Sequence, residues 1–139
     1  MYDLFFRAWP PKVRVREILG RLHGVLRGDV RFVPEDRGTS FPSLRDRTLL
    51  VEYERIGGDY PLHLIVIPRF KQKTVPLHEA ASRIAQVCRV EVVADDGTDN
   101  PARWLQFMPD GRIVPVRVDP HRAEALYVVS DDADFRAAD

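Results

Sequence analysis

The spacing of apolar and polar residues divides the first part of the chain into a strand, a helix and a second strand. Tyr2 to Ala8 alternates apolar with polar residues, which predicts a first strand in a central position. After two prolines, apolar residues recur at helical spacing from Val15 to Leu26, which predicts an amphipathic helix. Val30 to Val33 predicts the second strand, and the loop that follows, Pro34 to Ser43, is rich in charge, glycine and proline.

The rest of the chain favours hairpins around a second helix. Two β-rich runs, Thr48 to Ile56 and Leu62 to Pro68, flank a Gly-Gly-Asp-Tyr turn and predict an antiparallel hairpin. Pro76 suits the first position of a helix, and the apolar residues from Leu77 to Cys88 share one face of it. The remaining predicted strands are Val90 to Ala94, Trp104 to Met108, Arg112 to Val118 and an edge strand at Leu126 to Val129.

The order of elements, β-α-β-β-β-α-β-β-β, predicts an α+β fold of two layers. We expect a mixed, mostly antiparallel sheet with both helices packed on one face. A chain of 139 residues has the length of one domain with one core. We therefore predict a single domain over residues 1–130 and a frayed acidic tail over residues 131–139.

Charge and cysteine content narrow the possible partners and the compartment. The 21 basic and 21 acidic residues balance, which argues against a direct nucleic-acid or membrane partner. Residues 1–73 nevertheless carry 14 Lys and Arg against 9 Asp and Glu, and the remainder carries 7 against 12, so a dipolar surface is one interpretation. The single cysteine, Cys88, cannot form an internal disulfide and falls on an apolar helix face, which predicts a core position. With no signal peptide or membrane span, we expect a cytoplasmic protein.

The motifs of common catalytic and cofactor sites are missing from the sequence. His78 and Glu79 begin like a zinc-binding H-E-x-x-H helix, but Ser82 stands where the second histidine is needed. The acidic run that starts at Asp95 has the composition of a calcium loop with its glycine in the wrong place. No nucleophile motif or phosphate loop occurs, so we predict no catalytic residue, no metal and no cofactor.

A few charged and aromatic residues allow two interpretations. Glu52 and Glu54 lie two apart on a predicted strand, as a catalytic carboxylate pair would, but the solvated face of a strand gives the same pattern. Trp9 fits either an exposed anchor or a lid on the core. A basic stretch with the same period is either a phosphate-binding patch or a solvated connection, and it consists of Arg69, Lys71 and Lys73.

The strand from Trp104 to Phe107 is followed by a Pro109-Asp110-Gly111 turn and a valine-rich return strand. With this feature, its whole-length layout and its lack of active-site motifs, the chain resembles the small bacterial immunity proteins of polymorphic or contact-dependent toxins. The resemblance implies a protein that covers the active site of a cognate toxin, often a nuclease with a basic cleft. From charge patterning, the candidate partner-binding residues are Glu91, Asp95, Asp96 and Asp99, with Glu52 and Glu54 next.

The alternative is a small-ligand enzyme or sensor domain with a pocket between the sheet and the helices. His63 on a strand and His78 at the start of a helix are then the first candidates for acid–base chemistry. The oligomeric state stays open, because an uncovered edge strand at Leu126 to Val129 would allow pairing with a second copy.

Overall fold

A computed structural model describes residues 1–34, 47–69, 72–118, 125–126 and 128–130, the last two ranges by their backbone alone. Residues 35–43 of the predicted loop, Lys71 of the basic stretch and the predicted tail lie outside the described residues.

The described chain forms two α-helices and a series of strands close to the predicted ones. In chain order, the elements are β1 (Tyr2–Phe6), α1 (Lys12–His23), β2 (Val30–Pro34), β3 (Leu49–Arg55), β4 (Gly57–Gly58), β5 (Leu62–Ile67), α2 (Leu77–Cys88), β6 (Val92–Asp95), β7 (Arg103–Phe107), β8 (Ile113–Val118), β9 (Ala125–Leu126) and β10 (Val128–Ser130). A 3₁₀ turn, Arg27–Asp29, joins α1 to β2.

The strands form one large mixed sheet in which β1 is central, as predicted. Eight strands follow the order β10-β8-β7-β6-β1-β5-β3-β2. All neighbours are antiparallel except β2 and β3, which run parallel at one edge. The predicted last strand is divided in the structure: β10 pairs with β8 at the other edge, whereas β9 pairs with β4 in a separate two-stranded ladder. The α+β class and the mostly antiparallel sheet are confirmed.

Both helices pack on the same face of this sheet. The alternate residues Tyr2, Leu4 and Phe6 of β1 are buried there, in one cluster with the apolar sides of α1 and α2. Full burial of a leucine or phenylalanine contributes about 1.5–3 kcal/mol, so this cluster is the main source of stability. Cys88 is partly buried and packs against the cluster, and burial raises the pKa of its thiol.

The opposite face of the sheet is covered only in part by described residues. Tyr60, from the turn between β4 and β5, is buried over Val93, Val116 and Val118. Across β1, β5 and β3 the same face carries polar side chains, and Asp3 keeps 51% of its side chain exposed. We call this second side of the sheet the open face.

The ends of both helices differ from the sequence prediction. The helical spacing extends to Leu26, but α1 ends at His23 because Gly24 adopts the left-handed conformation, with φ 68°. Pro76 is the N-cap of α2 rather than its first helical residue, because its backbone is extended and the helix begins at Leu77. The strand predicted from Val90 begins only at Val92, because the Val90 N–H donates a hydrogen bond to the carbonyl of Ala85 and so belongs to the end of α2.

Candidate functional site

His63 on β5 lies between two carboxylates that come from the strands on either side. Its Nδ1 is 2.7 Å from Oε1 of Glu54 on β3, and its Nε2 is 2.8 Å from Oδ1 of Asp3 on β1. The register explains the first contact, since Glu54 is the direct cross-strand partner of His63. The His63 ring also stacks on Phe5, with centroids 4.3 Å apart and planes 5° from parallel. Both ring nitrogens of His63 are therefore engaged in hydrogen bonds, and one face of its ring is held against Phe5.

These contacts define the protonation state of His63. An ionised carboxylate only accepts hydrogen bonds, so each ring nitrogen must carry a proton and donate it. Burial lowers the pKa of His63 and is the largest single effect, but the hydrogen bonds and charges of Asp3 and Glu54 together outweigh it, so the pKa is raised. The site favours an imidazolium.

Glu52 extends this group along β3. It lies two residues before Glu54 and hence on the same side of the strand, beside Ile65 in the register. No ion-pair partner for Glu52 occurs among the described residues. We call Asp3, Glu52, Glu54 and His63 the acidic face, since three carboxylates and one imidazolium lie together on this part of the sheet. The structure thus places the predicted Glu52 and Glu54 together on the open face.

Glu91 belongs to a different polar cluster, on the part of the open face covered by Tyr60. Its Oε2 accepts hydrogen bonds from Arg7 Nη1 at 3.0 Å and from the Tyr60 hydroxyl at 3.4 Å. Gln106 Nε2 in turn donates to the Tyr60 oxygen at 2.6 Å. Burial raises the pKa of Tyr60, which keeps its hydroxyl protonated and able to donate. Glu91 therefore holds the Tyr60 turn on the sheet, and Arg7 balances its charge.

The predicted acidic residues after β6 mainly stabilise their own turn. Asp95 Oδ1 accepts the Gly97 N–H at 2.6 Å, and Asp96 Oδ1 accepts the N–H and the hydroxyl of Thr98. Such side-chain to backbone bonds are typical of Asx turns. Asp99 is exposed in the same turn. Asp95 and Asp96 are thus tied into their own turn, apart from the acidic face.

The predicted basic stretch connects elements. The Arg69 N–H donates to Oε1 of Gln72. The N–H of Lys73 donates to the carbonyl of His23, and the carbonyl of Lys73 accepts the Nδ1–H of His23 at 2.9 Å. This segment ties the end of α1 to the approach to α2, which fits the interpretation as a connection.

Trp9 covers apolar residues while half of it stays accessible. Its ring lies edge-on to Tyr53, with Arg55 over its face at 5.2 Å, and 47% of the residue is exposed. It lines a small apolar pocket together with Leu62 and Leu64. This arrangement is that of a lid at the end of the sheet.

The acidic face has the charge to bind a partner, but its histidine is poorly suited to acid–base catalysis. His63 donates from both nitrogens, so it has no lone pair with which to take a proton from a substrate. His78, the other candidate, lies exposed on α2 against Phe107, on the helix side of the sheet. The two histidines do not form one site. Within the described ranges, no group of three or more His, Cys, Asp or Glu residues is placed to hold a metal ion.

Asp3 is the member of the acidic face that was not predicted as a site residue. The signal was present but weak: Asp3 and His63 are the polar positions in two otherwise apolar alternations. They meet only because β1 and β5 pair with Asp3 opposite Ile65, a register that joins residues 60 apart in sequence.

Comparison of the chain with family models, curated proteins and solved structures finds no match. Among the described residues, neither helix is long and apolar enough to cross a membrane.

Proposed function

We propose that this domain is a protein-binding module that neutralises a toxin, as immunity proteins do, by laying its acidic face over a basic active-site cleft in the cytoplasm. The observation that supports this function is the acidic face itself. Its three carboxylates stand on β1 and β3, the two strands that flank β5, on a part of the open face to which no described helix is packed.

The charge of the acidic face suits a basic partner. Three carboxylates and one imidazolium give these four side chains a combined charge of minus two. Asp3 and Glu54 are held by His63, so little side-chain entropy is lost when they meet a partner. Complementary charge of this kind steers association and selects partners, and the half-buried Ile65 and Ile67 beside it supply apolar area.

Binding explains the histidine better than catalysis does. A general base needs a free ring nitrogen, whereas His63 uses both nitrogens to orient carboxylates. An imidazolium between two acidic residues lets them stand close together without repulsion, which concentrates negative charge at a fixed position.

The test is capture of the partner by the tagged domain from its native cells, followed by mass spectrometry. We expect one basic protein at stoichiometric amount, whose toxicity on expression is suppressed by co-expression of this domain. Glu52→Lys should lose the capture, and Glu79→Lys, which reverses an exposed charge on α2, should retain it. A domain that elutes alone at every salt concentration, or a partner held equally by both variants, would refute the proposal.

A further inference from the structure

A cleft of about 530 Å³ opens between α1, the 3₁₀ turn and β2, and each of these elements contributes an arginine to it. We call it the arginine cleft. Its lining includes Arg16, Arg27, Arg31, Gly28, Asp29 and Thr48. None of these residues belongs to the acidic face, so the cleft is a separate feature of the molecule.

Positive charge in the arginine cleft exceeds the negative charge available to balance it. Arg27 pairs with Glu17 at 3.2 Å, and Asp29 is 3.6 Å from Arg47 on its other side. Arg16 and Arg31 have no ion-pair partner in the part of the chain that the structure describes. Since arginine stays protonated in proteins, this excess positive charge favours an anionic ligand.

Arg16, one of the two unpaired arginines of the cleft, is held in place before any ligand arrives. The Arg16 guanidinium lies 5.3 Å from the centre of the Phe32 ring, a cation–π contact that restrains its plane. Its Nε is buried and has no hydrogen-bond partner among the described residues. Beside it, Thr48 is 8% exposed, and Gly28 leaves space where a side chain would stand.

We infer that the arginine cleft binds a small molecule that carries phosphate groups. A phosphoryl group offers three acceptor oxygens, which match the forked donors of guanidinium groups from several directions. The volume lies within the roughly 300–1,000 Å³ of small-ligand sites, which suits a compound up to the size of a nucleotide. This activity goes beyond the proposed protein binding and does not depend on it.

Isothermal titration with pyrophosphate tests the inference on the intact chain. We expect saturable binding that Arg31→Gln weakens at least about tenfold, because a charge-assisted hydrogen bond is lost. Gly28→Glu adds a carboxylate to the cleft and leaves every arginine in place, and it should weaken binding by a similar factor. The matched control is Arg117→Gln, an exposed arginine on β8, which should stay within about twofold of the wild type.

The same titrations can also refute the inference that the arginine cleft binds phosphate groups. The inference is wrong if pyrophosphate does not bind the wild type at about 10 mM, if sulfate binds as tightly, or if Arg117→Gln weakens binding as much as Arg31→Gln. Glu79→Lys, at an exposed position on α2, should leave pyrophosphate binding unchanged. Arg31 is exposed, and circular dichroism of each variant confirms that it folds.

Discussion

The hydrogen-bond partners of His23 and His63 favour different charge states, a neutral ring at His23 and an imidazolium at His63. His63 faces two carboxylates, which accept from both nitrogens and favour the imidazolium. His23 is 1% exposed and lies between the Tyr2 hydroxyl, 2.7 Å from Nε2, and the Lys73 carbonyl, 2.9 Å from Nδ1. Because the carbonyl only accepts, Nδ1 donates, and burial in this position favours the neutral ring, whose Nε2 accepts from the Tyr2 hydroxyl. Burial lowers the pKa of His23 and raises that of Tyr2, which fits the neutral pair.

Replacement of His63 should cost stability mainly at low pH. The raised folded-state pKa means that its contribution is present below the unfolded value near 6.5 and is lost as the pH rises through the folded-state value. We expect His63→Gln to lower the free energy of unfolding by about 1–2 kcal/mol near pH 5.5 and by less near pH 9, the figure being reduced for the partly exposed carboxylates. Urea unfolding of both proteins at the two pH values measures this, and a difference that grows with pH would be inconsistent with an imidazolium.

Replacement of His23 should show the opposite pH dependence. Its lowered folded-state pKa means that the contribution of the neutral ring is present above about pH 6.5 and is lost as the pH falls through the folded-state value. We expect His23→Leu to destabilise by about 2–4 kcal/mol at neutral pH, since the Tyr2 hydroxyl and the Lys73 carbonyl lose their partner. The deficit should shrink in acid. His78→Leu, at an exposed position, is the control for urea unfolding, and an equal loss in both variants would contradict the account.

The end of α1 depends on Gly20, at a position where helix propensity alone would favour alanine. A Cβ atom at Gly20 would stand 2.7 Å from the carbonyl oxygen of Val25 and 3.6 Å from Val30 on β2. The chain returns this closely because Gly24 adopts the left-handed conformation, with φ 68°, and the Val25 N–H donates to the Gly20 carbonyl. The close approach at Gly20 therefore involves both the residues that follow α1 and the sheet.

Gly20→Ala should destabilise the domain although alanine favours helices. Relief of the contact requires the backbone at Val25 to move, at a cost of about 1–3 kcal/mol that exceeds the propensity gain of about 1 kcal/mol. Gly28→Ala is the control, because nothing lies within 4 Å of its added Cβ and its φ is not positive. Thermal unfolding should separate the two variants, and an unchanged or raised midpoint for Gly20→Ala would show that the exit of α1 is looser than described.

Elements could be predicted from the sequence where their pattern is continuous. The hairpin of β3 and β5, the hairpin of β7 and β8 and both helices follow from local alternation, helical spacing and turn residues. The parallel pairing of β2 with β3 could not be predicted in this way, because the sequence that joins the two strands carries no pattern that fixes their relative direction. The Asp3 contact with His63 likewise depends on a long-range register that no local pattern contains.

At the scale of the molecule, the charge difference between the two parts of the chain does not locate the acidic face. Asp3, Glu52, Glu54 and His63 all belong to residues 1–73, the part with excess positive charge. The arginine cleft comes from the same part of the chain. Alternation along β1 and β3 directs the three carboxylates to the open face, whereas Arg16 and Arg27 come from α1 and the 3₁₀ turn. Arg31 is the cross-strand partner of Leu50 and lies on the edge strand β2, where the two sets come nearest to each other.

We propose that the acidic face, held in place by His63, is the surface that binds a basic protein. The decisive experiment compares the affinities of Glu52→Lys, Glu79→Lys and the wild type for the captured partner. Both variants make the same change of charge, on opposite sides of the sheet. We predict that Glu52→Lys weakens binding at least about tenfold and that Glu79→Lys stays within about twofold. Equal affinities for the two variants would place the partner elsewhere on the molecule and contradict the account.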